Sequence, residues 1–224
     1  MNKRPGYSNF HRIDSEGVVC RLFHKDDLSE ISKLMEVIKP DIAGLHSQKL
    51  YDAICADALS DKRIVIVVAE EQSRLIGFNL TIIDRNRYWR SFIFKHPHLA
   101  WKIAAHRFLR LLRVSPDREA TDAAEPKDVS KYITSTPSGL SWKDSSPDIA
   151  KLVMTALTKK YRGRRISVEF GAYILDVLAH HGVRRVDTKI DPNNTPSIRL
   201  TYGLGFRIER RGEHLFATID LDQN

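Results

Sequence analysis

Ala156-Leu157-Thr158-Lys159-Lys160-Tyr161-Arg162-Gly163-Arg164-Arg165-Ile166-Ser167 reads as a strand that runs into a short basic loop and then directly into a helix. The strand is the apolar run from Ile149 to Leu157. The helix is marked by Ile166, Phe170, Tyr173, Ile174, Val177 and Leu178, which recur at helical spacing up to His181 and stop at Gly182. N–H groups at a helix start have no partner within the helix, and the helix dipole makes that end positive. A pyrophosphate placed there collects several N–H bonds together with attraction to Arg and Lys. The residues alone specify an anion site and leave the anion open.

Outward from this stretch the chain alternates strands and helices. Downstream come a strand from Val183 to Ile190, a helix from Thr195 to Leu204, and a closing hairpin of Phe206–Ile208 with Leu215–Ile219 around Arg211-Gly212-Glu213. Upstream, Val18–Phe23 reads as a strand. Asp26 and Asp27 then start a helix carrying Leu28, Ile31, Leu34, Met35 and Ile38 that stops at Lys39-Pro40. A second helix runs from about Lys49 to Leu59. The β-branched run Arg63–Ala69 suits a strand buried on both faces, and Leu75–Ile83 is its antiparallel neighbour across Glu71-Gln72-Ser73.

A second stretch pairs with the first. Asn194-Thr195-Pro196-Ser197-Ile198-Arg199-Leu200-Thr201-Tyr202-Gly203-Leu204-Gly205-Phe206 resembles the second motif of the GNAT superfamily of N-acyltransferases, Asn-x-x-Ala/Ser-x-x-Leu-Tyr-x-x-x-Gly-Phe, with Asn194, Ser197, Leu200, Gly205 and Phe206 in register. The basic loop is similar to that family's acetyl-CoA loop, Arg/Gln-x-x-Gly-x-Gly/Ala, often Tyr-Arg-Gly-x-Gly-Ile-Gly. Tyr161, Arg162, Gly163 and Ile166 match it, while Arg165 and Ser167 stand at the two small positions. A side chain at Arg165 must point away from the phosphates or join in binding them. The family's Tyr position is Thr201, and Tyr202 follows one residue later, about 100° around a helix.

The resemblance covers residues 17 to 221, less closely before Leu75 and not between Arg85 and Ser146. It implies an α/β (α+β) GNAT fold: a mixed, mostly antiparallel sheet with splayed strands, flanked by helices and carrying a helical insertion. It also implies an acetyl-CoA-dependent N-acetyltransferase acting by direct transfer to a primary amine of a small metabolite or amino sugar. Ala156, Leu157, Thr158, Arg162, Gly163, Arg164, Arg165, Ile166, Ser167 and Asn194 would bind the cosubstrate, with the N–H near Leu157 meeting the pantetheine or carbonyl. Tyr202 is the candidate acid for the departing thiolate. Glu70, Glu71 and Asp148 are candidate bases by type and strand-end position, against the simpler reading of solvated turn residues. A GNAT-fold module that binds CoA or a partner without catalysis is the alternative.

The formal charge of +8, from 36 basic and 28 acidic residues, is localised. Arg85, Arg87, Arg90, Lys95, Lys102, Arg107, Arg110 and Arg113 have no acidic residue among them. From Pro97 a helix is expected, with Trp101, Ala104, Ala105, Phe108, Leu109 and Leu112 on one face and Lys102, His106, Arg110 and Arg113 mainly on the other. The basic insertion, 85–114, would cover the acceptor cleft or a homodimer face. Its sharper reading is a membrane-surface helix through 88–113. No recognition motif accompanies the charge, which argues against nucleic acid. Residues 1–16 read as a flexible tail before a domain over 17–224, and 115–146 as a long loop. Cys20 and Cys55 have no C-x-x-C spacing and no His cluster beside them, so no metal is expected and a reducing cytoplasm is the expected location. His180 and His181 suit the C-terminal end of their helix.

Overall fold

The β-branched run forms the centre of the sheet. Strands β3 (Ile64–Glu71) and β4 (Arg74–Ile83) pair antiparallel along their lengths. Their turn places Gln72 and Ser73 at φ 49° and 63°, in the left-handed region without a glycine. The structure, a computed structural model, describes residues 12–13, 17–38, 48–112, 130–134 and 143–221. To the central hairpin the chain adds β1 (Arg12–Ile13), β2 (Val19–Leu22), β5 (Ile149–Leu157), β6 (Arg185–Ile190), β7 (Arg207–Arg211) and β8 (His214–Asp220). They form an eight-stranded sheet in the order β1-β2-β3-β4-β5-β6-β8-β7. Every neighbouring pair is antiparallel except β5 and β6. A parallel pair needs a crossover, and α5 (Arg165–His180) supplies it.

Because side chains alternate across a strand, the sheet has two cores. Val65, Val67 and Ala69 face α5 through Ile166, Phe170, Tyr173 and Ile174. Ile64, Ile66, Val68, Phe78, Leu80 and Ile82 face the opposite layer. That layer comprises α1 (Leu28–Ile38), α2 (Gln48–Ala58) and the inserted α3 (Arg85–Lys95) and α4 (Pro97–Leu112). α6 (Thr195–Gly203) lies beside α5, where Gly171 leaves room for Leu204; a Cβ there would stand 2.5 Å from Leu204 Cδ1. Gly182, at φ 78°, follows α5, and the Nδ1 atoms of His180 and His181 lie 2.8 Å from the carbonyls of Asp176 and Val177.

Several expectations are corrected. The expected tail contains β1, with Arg12 opposite Cys20 and Ile13 opposite Val19; its other residues, 1–11 and 14–16, lie outside the described residues. The insertion begins with a helix, α3, that the pattern did not announce. Its fully buried side chains are Tyr88 and Phe92, one turn apart, with Trp89 partly buried against them on an otherwise basic and aromatic surface. Asp84 caps it by accepting from the Arg87 N–H at 3.4 Å. On α4 the inward positions are Leu99 and partly Ile103, one turn apart, while Trp101 and Ala104 are exposed. The side chains of the expected face beyond Ala105 lie outside the described residues, as do Arg113 and the stop at Lys39-Pro40. Of the expected loop, Ser130–Tyr132 forms a 3-10 turn, and Thr134 N–H and Oγ1 both donate to Ile208 O at 2.8 Å. The loop residues 115–129 and 135–142 also lie outside the described residues.

An ion network ties β2 to the entry of α1. The Arg21 guanidinium donates to both Asp27 oxygens at 2.7 Å and to Glu70 at 2.6 Å, while His24 N–H donates to Asp27 at 2.7 Å. Burial alone would raise the Asp27 pKa, but Arg21 and the His24 N–H together hold it below the usual carboxylate value. Asp61, bonded by Arg63, is lowered in the same sense. A carboxylate with a depressed folded pKa stabilises the fold above its unfolded pKa and loses that contribution as pH falls through the folded value. Melting temperature should therefore hold from neutral pH to about 5 and fall below about 4. Arg21→Met should cost more at pH 7 than in acid below the folded pKa of Asp27, where the carboxyl no longer needs the guanidinium; an equal loss at both pH values contradicts the assignment.

Candidate active site

β5 keeps company with two neighbours for only half its length. It pairs with β4 from Ala150 to Leu157, but with β6 only as far as Leu152 opposite Thr188. Beyond that point β6 continues against β8 through Lys189 and Ile190. A wedge therefore opens between the C-terminal ends of two parallel strands. The cause lies in β5: Leu80 pairs with Met154 and Thr81 with Leu152, so Val153 is an extra residue. Such a bulge bends its own strand. Asn79, fully buried, consolidates it by donating to Met154 O at 3.0 Å and to Thr155 Oγ1 at 2.8 Å, while accepting from Thr81 Oγ1 at 2.7 Å.

The end of β5 directs backbone groups into the wedge. Thr158 N–H donates to Ile76 O of β4 at 2.7 Å. By the alternation of a strand, the N–H and C=O of Leu157 point to the other side, where β6 has departed. Gly77 lies against this segment; a Cβ on it would stand 2.6 Å from Ala156 O and 2.4 Å from Leu157 Cδ2. A side chain at residue 77 would push the strand end out of place.

After Thr158, a 3-10 turn over Lys159–Tyr161 leads to Gly163, whose φ of 72° favours glycine, and to Arg164, the extended N-cap of α5. The N–H groups of Gly163, Arg164, Arg165 and Ile166 have no acceptor among the described residues. The basic residues divide their work. Arg162 Nε donates back to Leu157 O at 2.8 Å. Lys160 donates to the Tyr161 hydroxyl at 2.7 Å and lies 3.3 Å from Glu71, which ties the loop to the β3–β4 turn. Arg165 points away along the helix to Glu169 at 2.6 Å and is exposed. Ser167 is buried and donates to Tyr161 O at 3.0 Å, so its hydroxyl closes the loop from within.

The second stretch reaches the same end of the sheet. Asn194 follows β6 and caps α6, its Oδ1 accepting from Ser197 N–H at 3.1 Å, which leaves the amide NH₂ facing outward from the exposed cap. Two helix starts thus flank the carboxyl ends of the parallel pair, the region where ligands enter open α/β sheets. Thr201 is buried, whereas Tyr202 is 50% exposed, with its ring 5.1 Å from that of Tyr132. The extra 100° of rotation has taken Tyr202 off the buried face.

The three carboxylates considered as bases are otherwise engaged. Glu70 accepts from Arg21. Glu71 is held below its usual pKa chiefly by the Tyr161 hydroxyl and by Lys160. Asp148 accepts from Ser146 and precedes the first residue of β5, about 30 Å of strand from Leu157. Sequence reasoning missed the Val153 bulge and Asn79. The available signal was an Asn in the middle of an otherwise apolar strand.

No protein-family model and no curated protein sequence matches the chain. Solved structures do. The GNAT domain of S. lividans PAT aligns over 98% of this chain and 100% of its own at 14% identity and TM-score 0.57. The PaiA N-acetyltransferase of Thermoplasma acidophilum, solved with coenzyme A, aligns over 91% and 99% at 13% identity and TM-score 0.54. YncA of Salmonella typhimurium, described as a putative acetyltransferase and solved with acetyl-CoA, aligns over 92% and 95% at 14% identity and TM-score 0.52. The fold is that of the GNAT acetyltransferases.

Proposed function

We propose that the chain is an acetyl-CoA-dependent N-acetyltransferase of the GNAT superfamily that acylates a primary amine of a small metabolite or amino sugar. The observation that carries this is the wedge itself. It brings a strand-end N–H at Leu157 and a set of unbonded N–H groups at Gly163 to Ile166 to one end of the sheet. These donors fit a ligand with a diphosphate at one end and a carbonyl at the other. Acetyl-CoA would supply the activated acetyl group. The α5 start and Arg164 would hold its diphosphate, Asn194 its arm, and Leu157 N–H its thioester oxygen. Ala156, Thr158 and Arg162 would shape the wall, Ile166 and Ser167 the loop beneath it. Arg165 has turned away, so the backbone keeps its access despite the missing glycine.

The amine nitrogen adds to the thioester carbonyl carbon and the C–S bond breaks. The thiolate takes up one proton, and the nitrogen gives one up. Catalysis is chiefly positioning and oxyanion stabilisation. Tyr202 has at most a minor part in this scheme, because a thiol of pKa about 8.5 departs without an acid near neutral pH. Tyr202→Phe keeps the ring on Tyr132 and should lower kcat by less than about threefold; a loss of a hundredfold would make it the acid. The proposal is tested by free-thiol release from acetyl-CoA across a panel of amines and amino sugars. Amine-dependent release supports it. Saturable acetyl-CoA binding without release from any amine supports the non-catalytic alternative.

A further inference from the structure

The α3–α4 corner leaves its largest apolar side chains outside the fold. Phe94 is 86% exposed and Trp101 75%, with Ile93 half exposed beside them. The corner itself is firmly seated. Tyr88, Phe92 and Leu99 of the same two helices are buried against the sheet, and Lys95 is tied to Asp57 at 3.1 Å. The exposure therefore comes from a fixed geometry in which one face of the hairpin is core and the other is not. Arg87, Arg90 and Lys102 of the same two helices are all exposed and none is in an ion pair among the described residues. The whole segment from Arg85 to Arg113 contains no Asp or Glu.

We propose that this corner is a docking surface for an anionic lipid bilayer. A Trp and a Phe projecting from a helical corner suit the boundary between headgroups and acyl chains, and flanking Arg and Lys suit lipid phosphates. The apolar tip is too small to hold a neutral membrane alone, so the charge makes the attachment selective. A second copy of the chain is the poorer occupant. A two-fold contact would set two acid-free basic segments against each other. Single-stranded nucleic acid is poorer too, because it is held in grooves lined by stacking rings, whereas this tip is a helix–helix corner carrying an aliphatic Ile93.

The test is cosedimentation of the full chain with vesicles of phosphatidylcholine alone, or with about a third phosphatidylserine. Binding should be at least about tenfold greater on the anionic vesicles and should fall as salt approaches about 0.5 M. The double variant Phe94→Ser, Trp101→Ser should lose that binding while keeping its melting temperature, since both side chains are exposed. Equal partition to both vesicle types, no binding to either, or unchanged binding of the variant overturns the proposal. Loss of a dimer in the variant by sedimentation velocity, without lipid binding by the wild type, reassigns the surface to a second copy. Loss of RNA binding with the same lipid result reassigns it to nucleic acid. None of these outcomes depends on acetyl transfer.

Discussion

Arg164→Asp should make the protein slightly more stable and its acetyl-CoA site much worse. Arg164 is the N-cap of α5, with extended backbone and no side-chain bond to the helix start. Asp at that position accepts from the N–H two or three residues on and complements the dipole, a gain of about 0.5–1 kcal/mol. The same change removes a positive charge beside the unbonded N–H groups of Gly163 to Ile166 and introduces a negative one. A charge-assisted bond to the diphosphate is worth about 1.5–3 kcal/mol, so Kd should rise roughly tenfold to a hundredfold or more. The two effects have opposite signs, which separates a damaged fold from a damaged site. Thermal melting and calorimetric titration of one preparation measure both. Unchanged affinity would show that the diphosphate lies elsewhere.

Lys151→Met carries the largest expected cost to stability. Lys151 is 1% exposed on β5 and ion-paired with Asp187 of β6 in direct register. Burial pulls the Lys151 pKa down, against the pull of Asp187, so its charge depends on that partner. Asp187 also accepts from Thr218 Oγ1 at 3.0 Å and lies 3.3 Å from Arg185. Removing the lysine leaves a buried carboxylate with only these weaker supports, at a cost of about 3 kcal/mol. For a chain of this size that corresponds to a melting temperature lower by roughly 6–12 °C. Replacing both members, Lys151→Met with Asp187→Leu, should recover most of it, because two apolar side chains need no solvation. A double variant as unstable as the single one would place the cost in packing rather than in the stranded charge. The pair spans β5 and β6 just before they part, so it holds closed the paired end of the wedge.

The elements that position the site were legible wherever local pattern and tertiary demand coincide. β3 reads as buried because six consecutive residues, Ile64 to Ala69, are buried. α5 reads as amphipathic because one face packs on the sheet. The unbonded donors at the α5 start could be read from helix-start chemistry alone, since Gly163 and the N–H groups beside it are contiguous in the chain. Legibility failed where partners come from far away. α3 has two fully buried side chains, Tyr88 and Phe92, to announce it, and its N-terminal Asn86 N–H is met by Ser145 Oγ, 59 residues later, at 2.9 Å. On α4 the apolar face that includes Trp101 is not the one turned to the sheet; Leu99 and Ile103 take the core positions because they continue inward from Phe92 across the corner. The wedge was expected from family resemblance, but its cause, Val153 as an extra residue held by Asn79, is a register fact between strands that no spacing within one strand reveals. Arg165, and Tyr202 standing one residue after the family's Tyr position, are two of the departures from the family pattern, and each is explained by direction. One lies along α5 on Glu169, and the other lies outside the buried face of α6, against Tyr132.

In the proposed function one wedge presents Leu157 N–H and the α5 start to a single ligand. Amide hydrogen exchange with and without saturating coenzyme A tests it most directly. Slowed exchange is expected at Leu157 and at Gly163 to Ser167, with no change along the β7–β8 hairpin. Binding that leaves those amides unprotected, or no binding at about millimolar coenzyme A, would contradict it.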